Sequence, residues 1–326
     1  MKRKTFLSLL VIGMAASPLC MAQADVGAFP SRPIQIVVGF PPGGATDLAA
    51  RVVGAQLSKS LGQPVVIENR AGAGSILGAT HVAKAAPDGY TLLIGSSSSL
   101  AINQSLHEKL PYDPATDFVA IGTVGQTPGI LAVHPDVPAK NVAELVHYMK
   151  GRSGGLSYAS AGNGTFQHLL AELFMEQTGT KALHIPYKGS TPALSDVAGG
   201  HVGIVFDVVP SAAPLVKVGK LRAIAVSSKQ RSELLPDVPT MTESGLTGLE
   251  AGSWWGIVAP AGTPEAIVAR LSDELVRIAG SPETRESLLK IGASPLAMPA
   301  PEFSAFLERE SARWAGIIKS RGIKAD

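Results

Sequence analysis

Short apolar runs separated by amphipathic stretches recur through most of the chain, and this alternation predicts α/β layers. Residues 34–38, 65–68 and 91–94 read as buried strands. The first leads into a helix starting near Ala45 or Thr46. The second leads into a helix over 75–86 that the turn Pro87-Asp88-Gly89 ends. A second unit opens near Ile130, with strands at 130–134, 156–160, 182–186 and 202–206 and helices at 142–150 and 165–178. Strands at 221–227 and 254–259 follow, then helices at 264–279, 282–291 and 301–321. Each of these last three carries a proline near its first position, where the fixed φ suits a helix and the missing N–H is not needed. Chain crossings near 125–130 and 222–228 predict two hinged lobes, residues 25–126 with 226–326 and residues 127–225. The cleft between such lobes is a standard ligand location.

Two loops repeat one design. After the first strand comes Phe40-Pro-Pro-Gly-Gly-Ala-Thr-Asp47. Gly43 and Gly44 let the backbone turn sharply and approach a ligand, Pro41 stiffens the approach, and Ala45 and Thr46 begin a helix whose unpaired N–H groups suit an anion. After the strand at 156–160, Gly162, Asn163 and Gly164 turn into a helix that Thr165 caps, with His168 in its first turn. Ser96 and Ser97 stand at the carboxyl end of the third strand. Asp207, after an apolar strand, can orient a ligand group or cap a local turn. A helix N-terminus contributes roughly 0.3–1 kcal/mol to an anion, whereas micromolar binding needs about 8 kcal/mol. Charge-assisted hydrogen bonds, roughly 1.5–3 kcal/mol each, must supply the rest, together with exclusion of water as the lobes close.

The N-terminus changes the compartment. Lys2, Arg3 and Lys4 precede an apolar stretch at 6–16, and Ala22-Gln23-Ala24 offers a cleavage site. The stretch is too short to span a bilayer, so it predicts a signal peptide removed after Ala24 and export to the periplasm. Ser17-Pro18-Leu19 makes a poor lipobox before Cys20. Cleavage leaves 302 of the 326 residues, lowers the net charge from +2 to −1 and discards Cys20, the single cysteine. That removes disulfides, thiolate metal sites and cysteine nucleophiles, and it argues against a nucleic-acid partner.

Enzyme motifs fail on context. Gly151-Arg-Ser-Gly-Gly155 has the spacing of a nucleophile elbow around Ser153, but that motif needs a strand before it and a helix after it, the reverse of the order here. Gly72-Ala-Gly-Ser-Ile-Leu-Gly78 resembles a dinucleotide fingerprint without the acidic residue that should follow. The seven histidines show no metal-ligand spacing. His168 with Glu172, and Asp47 with Arg51, read as i,i+4 pairs, and Trp254-Trp255 as packing within the core or between lobes. No cofactor, metal or catalytic residue is expected.

The motifs in their joint order resemble the Bug-type periplasmic solute-binding proteins of tripartite tricarboxylate transporters. The matching pieces are the loop 40–47, Glu68-Asn-Arg-Ala-Gly-Ala-Gly74, Pro87-Asp-Gly-Tyr-Thr-Leu-Leu93, Gly162-Asn-Gly-Thr165 with His168-Leu169, His184-Ile-Pro-Tyr-Lys-Gly189, Leu235-Pro-Asp-Val-Pro-Thr240 and Ala259-Pro-Ala-Gly-Thr-Pro264. The resemblance implies a two-lobed, type II-like Venus-flytrap fold without catalysis. It implies a small carboxylate ligand (dicarboxylate, amino acid or aromatic carboxylate) held by the loops 40–47 and 162–168, partly through water. It further implies a monomer that delivers its ligand to the membrane subunits of a transporter. Asn163 occupies a variable position between the glycines. Asp207 matches the family's aspartate after the second-lobe strand, and Val208-Val209 beyond it leaves room for an apolar ligand end. A ligand-presenting sensory protein and an exported hydrolase are the alternatives.

Overall fold

The computed structural model describes residues 29–152 and 155–324, so the predicted signal segment, Cys20 and Ser153 lie outside the described residues. Ile34–Val38 (β1) is buried almost throughout, as expected for a parallel strand covered on both faces. Ala45–Leu61 (α1) crosses over to Val65–Asn69 (β2), and Ile76–Ala83 (α2) to Thr91–Ser96 (β3). Both strands pair in parallel with β1. A π-helical turn, Ser98–Ile102, leads into the short helix Asn103–Leu106 (α3) and then into the sixteen-residue strand Phe118–Val133 (β4).

The second lobe is built from Val142–Lys150 (α4), Ser157–Ser160 (β5), Phe166–Thr178 (α5), Leu183–Pro186 (β6), Ser190–Ala198 (α6), Ile204–Val208 (β7), Val209–Lys217 (α7) and Arg222–Val226 (β8). The chain then returns through Gly252–Pro260 (β9), Glu265–Ala279 (α8), Pro282–Lys290 (α9), Ser294–Pro295 (β10) and Ala300–Arg321 (α10). The strands run in the order β2-β1-β3-β9-β4-β7-β5-β6, with β8 and β10 also paired to β4.

β4 joins the lobes. Residues 118–128 pair antiparallel with β9, and 129–133 lie between β7 and β8. The change of partner falls at Pro128-Gly129, where a compact hydrogen-bond knot ties the crossings together. The Gly129 N–H donates to Ser227 Oγ at 2.8 Å, Ser227 Oγ donates to the Ala251 carbonyl at 2.6 Å, and the Ser227 N–H donates to the Gly129 carbonyl at 2.9 Å. A side chain at 129 would meet Leu170 Cδ2 at 2.4 Å and Ser227 Oγ at 2.9 Å, so glycine leaves room here for the side chains of α5 and for the Ser227 bond.

Several elements differ from the sequence expectation. The first half of β4 is strand although the pattern shows only 130–134. Gly122 and Gly125 interrupt the alternation because the carbonyls of Met298 and Ser294 pass within 2.9 Å of where a Cβ would stand. Helix α7 carries Pro210 and Pro214, which mask its periodicity, and α6 is likewise absent from the reading. Helix α2 is shorter than 75–86: Ala73 and Ser75 have φ of +47° and +78°, which delays its start.

Candidate ligand-binding site

The carboxyl ends of β1 and β3 and the amino end of β9 face the carboxyl ends of β5 and β7 across the cleft. Both predicted loops stand there. α1 and α5 begin at Ala45 and Phe166 and bring their N-termini to opposite sides of one small cavity. The lobes meet closely. Across the cleft the Ala45 N–H donates to Ser211 Oγ at 3.0 Å, the Phe166 N–H donates to Ser98 Oγ at 3.2 Å, and Thr191 Oγ1 donates to the Pro42 carbonyl at 3.2 Å. The cavity left between them is about 20 Å³, room for roughly one water. A larger guest requires the lobes to part about β4.

Of the residues predicted from sequence, Phe40, Pro41, Gly44, Ala45, Thr46 and Ser96 line this cavity. The others stand behind it. Asp47 is buried and accepts from the Gly43 N–H, from Asn69 and from both nitrogens offered by Arg51. Burial by itself would raise its carboxyl, but the bonds from Arg51, Gly43 and Asn69 outweigh that and hold it below its ordinary value. Asp47 thus fixes the turn from within. Ser97 Oγ lies 3.4 Å from Ser253 Oγ.

In the second loop, Thr165 caps α5, accepting from the His168 N–H at 3.4 Å and donating to the Gly162 carbonyl at 2.7 Å. The Gly164 N–H donates to His168 Nδ1 at 3.4 Å. Gly162 and Gly164 have φ of +128° and +71°, which only glycine adopts at low cost. The carbonyl of Asn163 points across at Gly74. Behind the turn, His168 stacks on His184 (4.3 Å, 8°) and His184 on Tyr158 (4.8 Å, 13°). Ser160 Oγ sits 2.7 Å from His184 Nε2. Burial, then the neighbouring His168, push His184 down to about 3, so it stays neutral.

The remaining lining is Val208, beside which the sequence predicts room for an apolar ligand end, and residues not predicted as ligand-binding: Ser98, Ala161, Gln167, Ser190, Ser253 and Trp255. Ser98 belongs to the serine run after β3 and Gln167 lies inside the second motif, so both were within reach of the sequence. Ser253 and Trp255 alternate with Trp254 on β9, and only the sheet decides which face meets the cleft. Trp255 faces it, donating to Thr46 Oγ1 at 3.0 Å, while Trp254 turns away to Glu310.

None of the described lining residues is Lys, Arg or His. What the wall of the first lobe offers is neutral donors. Thr46 Oγ1 and Ser98 Oγ each accept a bond, from Trp255 and Phe166, which aims their own protons elsewhere. Ser96 Oγ is buried without a partner. The second amides of the two helices, Thr46 and Gln167, add N–H groups at the positive ends of the dipoles.

Asp207, at the end of β7, is wholly buried. It accepts from Ser190 Oγ and from the Val208 N–H, both at 2.7 Å. Burial pushes its carboxyl up to about 6, against the bonds from Ser190, Val208 and Gln167. Because the folded chain holds this proton more tightly than the unfolded one, its stabilising effect is complete below about pH 4 and is lost as pH rises through about 6. The stability of the native protein minus that of Asp207→Asn should therefore fall by about 3 kcal/mol between pH 4 and pH 7, since each tenfold difference in proton affinity between the folded and unfolded chains is worth about 1.4 kcal/mol. Urea unfolding at both pH values checks this; a difference that stays flat would mean Asp207 titrates normally.

Among the described residues no three acidic, histidine or cysteine side chains gather as metal ligands, and no helix is long and apolar enough to cross a membrane. Comparison with known proteins gives one consistent answer. BugT of Bordetella pertussis is 39% identical over 318 residues, 97% of this chain and 98% of that protein. The solved structure of Rpa4515 from R. palustris with adipate superposes with a TM-score of 0.88 at 38% identity, covering 91% of this chain and 99% of that one. MatC of Rhodopseudomonas palustris with bound malate gives 0.82 at 35% identity, covering 89% and 100%. Residues 49–323 match the tripartite tricarboxylate transporter family receptor, TctC. A two-lobed fold with the site at its cleft, relatives matched over nearly their whole length and this family match together place the chain in the TctC, or Bug, family of periplasmic solute-binding proteins.

Proposed function

We propose that this protein is an extracytoplasmic receptor that closes its lobes on a small carboxylate and delivers it to a tripartite tricarboxylate-type membrane transporter. In this reading residues 25–126 with 226–326 form the first lobe, 127–225 the second, and residues 1–24 are removed on export of a monomer. The observation that carries it is the donor set at the cleft: Thr46, Ser98 and Ser96 hydroxyls and the start of two helices converge on one cavity with no cationic side chain. An anion there is held by hydrogen bonds and dipoles rather than by an ion pair, an arrangement suited to reversible release. The relatives solved with adipate and malate support a dicarboxylate, with amino acids and aromatic carboxylates as the other candidates.

The hydrolase alternative finds no support in the Ser160–His184 pair beside the second loop. Ser160 is fully buried and hydrogen-bonded to His184, whose fall to about 3 makes it a poor general base near neutral pH.

A thermal-shift and calorimetric screen of carboxylates is expected to find a ligand, and Thr46→Val should bind it about 10- to 100-fold more weakly with little change in the unliganded melting temperature, the loss of one charge-assisted bond of roughly 1.5–3 kcal/mol. Equal affinity in the variant would remove Thr46 from the site. Turnover of an ester without binding of any acid would overturn the receptor reading.

A further inference from the structure

The two walls of the cavity differ in hydrogen-bond sense. The first lobe supplies donors: Thr46 and Ser98 have their oxygens already engaged as acceptors by Trp255 and Phe166, so each has a proton to give. In the second lobe, beside the N–H groups at the start of α5, one part of the wall reverses this sense. Ser190 Oγ gives its proton to Asp207 Oδ1 at 2.7 Å, so what it presents to the cavity is lone pairs. Gln167 lines the same wall, and its side chain favours the Asp207 anion. Asp207 Oδ2 is itself buried short of a well-formed hydrogen bond. A ligand lying across the cavity therefore meets donors at the first lobe and, at Ser190, an acceptor backed by a buried carboxylate on the second.

We infer that this receptor selects carboxylates that carry a hydrogen-bond donor, a hydroxyl or an ammonium group, on the carbon chain, and discriminates against the plain dicarboxylate of the same length. The inference rests on the carboxylate reading above. A second carboxylate facing Ser190 sets acceptor against acceptor, and a buried acceptor left without a donor has its desolvation cost unrepaid. Asp207 acts here as a positioning residue: it sets the direction of the Ser190 proton without lining the cavity.

The test is calorimetry on the dialysed full-length mature protein with matched acids: succinate, malate and aspartate at four carbons, adipate and 2-aminoadipate at six. At the length the site accepts, the donor-bearing acid should bind at least about tenfold tighter than the plain one, and malate against aspartate tells hydroxyl from ammonium. In Asp207→Ala no oxygen is left to hold the Ser190 proton, so the preference should shrink to within about threefold. Ser190→Ala, on the surface of the cavity, should do the same if the buried variant fails to fold. Plain dicarboxylates binding as tightly as their donor-bearing partners would overturn the inference and leave carboxylate capture standing. A preference that survives both substitutions would overturn the role of this wall. Failure of every acid would remove the carboxylate reading and the inference together.

Discussion

Gly74→Ala is expected to cost at least tenfold in ligand affinity while leaving the unliganded protein folded. A Cβ at this position would stand 2.5 Å from the Asn163 carbonyl of the opposite lobe, a backbone atom that cannot swing aside. The lobes then close only by shifting that contact, an overpacking cost of roughly 1–3 kcal/mol taken from the closed state alone. Only the closed state brings the donors of both loops to one ligand, so the whole cost appears in binding. Gly74 has φ of +60°, and the strain of a left-handed alanine must be separated from the clash. Gly62, with φ of +67° and nothing within 4 Å of a would-be Cβ, provides that control. Gly62→Ala should bind normally. Calorimetry gives the affinities, and small-angle scattering with saturating ligand should show Gly74→Ala more extended than the native protein. Equal affinity in the two variants would mean that the Gly74–Asn163 approach does not limit closure.

Glu310→Ala is expected to give a large loss of stability. Glu310 Oε2 accepts from the indole N–H of Trp254 at 2.9 Å and of Trp314 at 3.2 Å, and Oε1 from Arg313 at 3.3 Å. Both indoles are in the core, against Phe303, Phe306 and Phe166. Truncation leaves two buried donors unsatisfied at about 1–3 kcal/mol each, so about 3 kcal/mol or more is expected in urea unfolding. Glu310→Gln keeps an acceptor oxygen and should recover most of it. An alanine variant within about 1 kcal/mol of native, well under that figure, would mean that water reaches the indoles. The position lies on α10, which ties the C-terminal tail to β9 and so to the cleft: Trp254 points to Glu310 while its neighbour Trp255 bonds Thr46.

Much of the architecture is legible in the chain itself. Residues 34–38 and 142–150 match β1 and α4 at both ends, because clean apolar runs and clear caps specify short elements locally. The two glycine turns are legible for a related reason: positive φ at Gly43, Gly162 and Gly164 leaves a mark in residue type. The first half of β4 is not, since its glycines answer to the tail that crosses them rather than to the strand. The serine and glutamine lining is only half visible. Serine is common in loops, and nothing in Ser190 or Ser253 by itself distinguishes a hydroxyl aimed at a ligand from one exposed to water.

The sequence by itself determined the alternation of strands and helices, the two βα turns, the helix starts and the family resemblance, because each depends on residues near one another in the chain. The tertiary structure alone decided which side chains meet at the cleft and what each offers there. Asp47 turns inward to Arg51 and Asn69, and Trp255 rather than Trp254 faces the site. Asp207 lies behind Ser190 and takes its proton. Hydrogen-bond direction is the physical reason: whether a hydroxyl gives or receives depends on its partner, and these partners come from strands and helices far apart in the sequence.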